Sequence, residues 1–141
     1  MPENYLSDPT DGWMAPYESL DASELAAVWL SGDPDAEQYC LEPAHVRGVP
    51  FWTDWLVMVI ELAEGDDQVG RVGAGPVEAA LGRNIYLAKE VESRVSPAKL
   101  RAVLESVWYS DATPEVKNWA LQILDAGGST PNRRYPHGLT D

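Results

Sequence analysis

The chain has 141 residues, 45% of them hydrophobic, and sets 23 Asp plus Glu against 10 Lys plus Arg for a formal charge of −13. That length and apolar content suit one folded domain with its own core and argue against wholesale disorder, while a single cysteine, Cys40, excludes an internal disulfide framework. The longest apolar stretch, Leu56 to Ile60, stops at Glu61, far short of a membrane span, and the opening Met1-Pro-Glu-Asn-Tyr-Leu has neither a basic region nor a cleavage site, so the expectation is a cytoplasmic protein away from membranes.

Residues 1–19 hold Pro2, Pro9, Gly12 and Pro16 among acids and are expected to form an irregular arm, although Tyr5, Leu6, Trp13, Met14 and Tyr17 give it apolar surface to pack. A helical domain is expected over 20–126 and a flexible tail over 127–141. The first helix is predicted over 22–31, because Asp21 with Glu24 has the spacing of a capping box and Leu25, Val28 and Trp29 share a face. Gly32, Asp33 and Pro34 end it, and residues 35–41 offer a further short turn of helix.

From Phe51 to Ala63 the apolar residues recur at helical spacing, with Val57 and Met58 filling most of the remaining face. This predicts a central helix buried nearly all round, with a strand over 56–60 as the competing reading. The glycines at 65, 70, 73 and 75 predict only a short or frayed helix around Gln68 to Ala74, and Pro76 is expected to start a separate helix. Another short helix is predicted over 84–94. Ser96-Pro97 and Thr113-Pro114 each pair an N-cap hydroxyl with proline at the first helical position, so two more helices are predicted, with Trp108 and Trp119 on their inner faces. The expected fold is therefore all-α, a compact bundle of about five to seven short helices whose C-terminal pair forms an antiparallel helical hairpin.

Catalytic machinery is hard to find. The two histidines, His45 and His137, fall in a loop and in the C-terminal tail, without metal-ligand spacing. The Gly70–Pro76 run lacks the Gly-Lys-Ser/Thr ending of a phosphate loop. The pairs Asp66 with Asp67 and Glu61 with Glu64 follow no calcium-loop pattern and read as solvated carboxylates. No catalytic residue, metal or cofactor is expected.

Charge is more informative. Residues 1–70 contain fifteen acids and one base, Arg47, whereas residues 71–141 contain eight acids and nine bases. Net negative charge serves solubility, but such asymmetry also suits steering toward a basic protein and disfavours direct binding of nucleic acid. The candidate partner-binding residues are Trp13, Tyr17 and Trp52 as aromatic anchors, with Asp33, Asp35 and Glu37 as steering carboxylates.

Around Gly75-Pro76-Val77-Glu78 the chain resembles a widespread family of small, functionally uncharacterised bacterial proteins with a Gly-Pro-Leu-Glu-like central motif. The residues that carry the resemblance are Trp29, Trp55, Gly75, Pro76, Glu78, Leu81, Val91, Glu92 and Trp108, over roughly residues 20–110. The chain departs from the pattern at Val77, where leucine is usual, and at Gly82-Arg83-Asn84, where a His-Gly turn is usual. The resemblance implies a helical domain of bacterial origin and transfers no activity, because the family has none established. Glu78 is expected to accept backbone amides at its helix end or to pair with Arg83 or Arg94. Three functions follow in order: an acidic protein-interaction module, for instance an immunity-like inhibitor of a basic toxin or nuclease; a structural or regulatory homo-oligomer; and a carboxylate-dependent enzyme.

Overall fold

The computed structural model describes residues 9–41, 47–126 and 136–139, with side chains from Met14 onward. Among them every regular element is helical. No helix among the described residues is long and apolar enough to cross a membrane. The chain divides into two compact units, Met1–Val59 and Ile60–Asp141.

The first unit holds α1 (Pro9–Glu18), α2 (Ala22–Leu30), α3 (Pro34–Tyr39) and most of α4 (Val49–Leu62), whose last turn belongs to the second. The expected irregular arm is thus helical over α1. Pro9 stands at the first position, where no intrahelical N–H bond is lost, whereas Pro16 lies inside the helix near its end, where it forfeits one bond. The capping box forms as predicted: the Glu24 N–H donates to Asp21 Oδ1 at 2.8 Å and the Asp21 N–H to Glu24 Oε1 at 2.9 Å. Gly32 follows α2 with φ +91°, the left-handed conformation that ends a helix. Asp33 then caps α3 by accepting from Asp35 N–H at 2.9 Å.

Helix α4 is as enclosed as its sequence predicts, and the strand alternative falls. Trp52, Trp55, Leu56, Val57, Val59 and Ile60 are buried, and buried Thr53 satisfies its hydroxyl by donating to the Val49 carbonyl at 2.8 Å. Trp55 meets Trp29 edge-on at 6.0 Å and Trp52 at 5.6 Å, forming the aromatic centre of this unit.

The second unit contains α5 (Gly65–Val72), a π turn (Gly73–Val77), α6 (Glu78–Leu81), α7 (Ile85–Glu92), α8 (Pro97–Leu104) and α9 (Pro114–Ala126). The frayed helix and the separate Pro76 start expected from the glycines become one helical path from 65 to 81. Proline lacks an N–H and crowds the carbonyl four residues back, and the wider π turn accommodates both defects. Gly73 makes this path possible in space, since a Cβ there would meet the Val103 carbonyl oxygen of α8. Asn84 caps α7 through the Leu87 N–H at 3.0 Å, and Thr113 caps α9 through the Val116 N–H at 3.3 Å.

Ser96 does not cap α8 with its hydroxyl as predicted. The Glu61 carboxylate at the end of α4 accepts its backbone N–H, and Lys99 donates to the Ala63 carbonyl. Helices α8 and α9 pack on one another, and α9 also packs on α7. Their buried residues include Leu100, Val103, Leu104, Val116, Trp119, Ala120 and Leu124.

Candidate functional site

The predicted partner-binding residues separate into buried and exposed groups. Tyr17 is 8% exposed, its ring 5.5 Å from that of Tyr39, and its hydroxyl donates to Asp33 Oδ2 at 2.9 Å. Burial, then the Asp33 carboxylate, pushes the phenol up to about 12. Trp52 is 3% exposed and donates its indole N–H to the Cys40 carbonyl at 3.0 Å. Both aromatics therefore serve the interior instead of presenting a ring. Their helical positions turn them inward, and each polar atom has an internal partner.

The Trp13 side chain lies outside the described residues. Asp33 is committed to capping α3 and to Tyr17. Asp35 is exposed and Glu37 half-buried.

The charge exposed on this unit is negative on balance. Glu18, Asp21, Glu24 and Asp35 are exposed. Arg47, the only Lys or Arg among residues 1–59, is itself exposed and sits beside these acids: its guanidinium donates to the carbonyls of Glu18 and Leu20 and lies 3.7 Å from the Phe51 ring centroid. It also takes a left-handed φ of 66°, uncommon outside glycine, and these contacts hold it there. Cys40 is buried, and burial pushes its thiol up to about 12, so it is an inert core residue.

The second unit holds a cleft of about 210 Å³ that the charge map did not indicate. Glu78, Ala79, Gly82, Arg83, Trp108, Asp111 and Ala112 line it. Helix α8 ends at Leu104, four residues before Trp108, so the spacing that was expected to turn Trp108 inward does not reach it. Tyr109 takes the interior place and donates its hydroxyl to the Leu104 carbonyl at 2.8 Å, while Trp108 stands 56% exposed. Its backbone N–H donates to Glu78 Oε1 at 2.8 Å. Glu78 thus accepts a backbone amide from thirty residues on, and Arg94 pairs with Glu90 at 3.7 Å.

Part of the expected flexible tail backs this tryptophan. His137 stacks on the indole with ring centroids 3.9 Å apart, and its carbonyl accepts the Tyr109 N–H at 2.7 Å. Leu139 is buried, and Gly138, at φ +82°, lies so close to the Ser110 backbone that a Cβ would collide with it. The signal in the sequence was small: a Pro-His-Gly-Leu turn with one apolar residue.

Of the central motif, Gly75 and Pro76 lie in the π turn, Leu81 is buried and Glu78 lines the cleft, as does Trp108, which also carries the resemblance. Elsewhere, Glu92 accepts the indole N–H of Trp119 at 2.8 Å. No group of three or more His, Cys, Asp or Glu able to hold a metal occurs among the described residues. Comparison of the chain with protein-family models, curated proteins and solved structures found no match.

Proposed function

We propose that the protein acts by binding a basic protein through the acidic surface of its N-terminal unit, as an inhibitor-like module of the immunity type. One observation carries the reading. Four carboxylates, Glu18, Asp21, Glu24 and Asp35, stand exposed against one guanidinium, that of Arg47, which backbone carbonyls and an aromatic ring hold in place. Carboxylates at a surface of one sign raise the encounter rate of a cationic partner and fix its orientation.

The test is affinity purification from the native cell at low salt and again at about 0.5 M salt, where the screening length falls to a few ångströms. A basic protein recovered only at low salt is then titrated against wild type and the Glu18→Gln, Glu24→Gln, Asp35→Asn triple variant. The expected result is weaker binding with a shallower salt dependence in the variant. An unchanged salt dependence, or recovery of the protein alone, overturns the reading.

Self-association is the second reading, favoured by the aromatic rings of Tyr86, 84% exposed, and Trp108. A sedimentation mass that rises with concentration, without any heterologous partner, would support it.

A further inference from the structure

We propose that the cleft between Glu78, Arg83, Trp108 and Asp111 is a receptor for one arginine side chain presented by another protein. This goes beyond the acidic-surface reading, because it concerns the second unit and needs none of the carboxylates of the first.

Size sets the first limit. A volume of about 210 Å³ lies below the roughly 300–1,000 Å³ of pockets that enclose drug-sized molecules, so the occupant is of side-chain dimensions.

Chemistry sets the second. Trp108 is a preorganised platform: His137 covers part of the indole, the Trp108 N–H is held by Glu78, and the Tyr109 N–H is held by the His137 carbonyl. Trp108, 56% exposed, lines the cleft, and His137 does not. An exposed indole beside carboxylates suits a planar guanidinium, which stacks on aromatic faces and bonds carboxylates two atoms at a time. Glu78 spends Oε1 on the Trp108 N–H and has Oε2 for a ligand, and Asp111 is exposed on the same lining. Two carboxylates against the one guanidinium of Arg83 leave the lining net negative. Arg83 opposes an incoming cation, and that sign gives the proposal a second handle.

The probe is Nα-acetyl-arginine amide, with the neutral isostere Nα-acetyl-citrulline amide as control, titrated into the full-length ¹⁵N-labelled protein. The readout is the Trp108 indole N–H resonance, identified among the six tryptophans by its loss in Trp108→Phe. The expected result is a saturable shift with the arginine probe, Kd on the order of millimolar, and none with citrulline.

Glu78→Gln with Asp111→Asn retains an oxygen to accept the Trp108 N–H and is expected to weaken binding at least about tenfold. Arg83→Gln is expected to strengthen it about twofold to fivefold. Equal response to citrulline, unchanged binding in the double variant, or loss of binding in Arg83→Gln overturns the proposal. Titration of the triple variant of the acidic surface should leave this site unaltered, so the failure of one proposal is distinguishable from that of the other.

Discussion

Substituting Gly73 by alanine tests the close approach of the π turn to α8. The added methyl would meet the Val103 carbonyl oxygen and lie 2.8 Å from Ser106 Cβ. The first obstacle is backbone, so no rotamer change relieves it, and the π turn and α8 must move apart. Overpacking of this kind costs about 1–3 kcal/mol, and a backbone clash belongs at the upper end. Alanine regains about 1 kcal/mol of helical preference over glycine, leaving a net loss of about 2 kcal/mol.

Gly75 is the internal control. It lies two residues along the same π turn with nothing within 4 Å of its added Cβ, so Gly75→Ala should stabilise by about 0.5–1 kcal/mol. Urea unfolding followed by circular dichroism would measure both, with an unchanged m-value as the check that the native state is otherwise preserved. Two variants displaced in the same direction, or Gly73→Ala within about 0.5 kcal/mol of wild type, would refute the close approach.

Two further outcomes follow from side-chain partners. Glu78→Ala deletes the acceptor of the Trp108 N–H and should cost about 1 kcal/mol with a change in Trp108 fluorescence, whereas Glu78→Gln should cost less; equal losses would show that the bond contributes nothing. Stability should decline on raising pH through the alkaline range. Burial, assisted at Tyr17 by Asp33, holds Tyr17 and Cys40 up at about 12 against ordinary values of 10.0 and 9.0, and burial raises Tyr39 and Tyr109 as well. The folded chain then keeps protons that the unfolded chain releases, so this stability is complete below about pH 9 and is lost progressively toward pH 12. A urea midpoint that stays constant from pH 8 to 11 would contradict these assignments, and Tyr17→Phe should flatten part of the decline.

The all-helical architecture was legible because its signals are local. Asp21 and Glu24 lie three residues apart, Thr113 stands immediately before its helix, and α4 repeats its apolar residues at helical spacing. Where position depends on distant chain, the sequence was less informative. Trp108 and Trp119 carry similar helical spacing, yet only Trp119 remains on a helix; the early end of α8 leaves Trp108 outside and Tyr109 inside. Ser96 has the residue type of an N-cap but its hydroxyl makes no cap bond, while its own backbone N–H goes to Glu61, thirty-five residues earlier. Pro9 and Pro16 suggested an irregular arm, whereas Trp13, Met14 and Tyr17 already had the spacing of a helical face. The anchors Tyr17 and Trp52 were misplaced because an aromatic residue near a helix end has the same composition whether it faces in or out.

The cleft depends on the same irregularity that disguised its helix. Each residue of an α-helix turns the following side chains by about 100°, so the extra residue of a π turn rotates everything after it onto a different face. Pro76 favours that turn by supplying no N–H and by crowding the carbonyl four residues back, and Gly73 permits it against α8. Glu78 is the first residue beyond the turn, where the altered register brings its carboxylate to the Trp108 N–H. A regular α-helix through the same residues would carry Glu78 away by about a quarter of a turn and leave that amide without its carboxylate. The Gly-rich, proline-containing stretch therefore sets the angle at which an acid meets an exposed tryptophan, and that angle defines one side of the cleft.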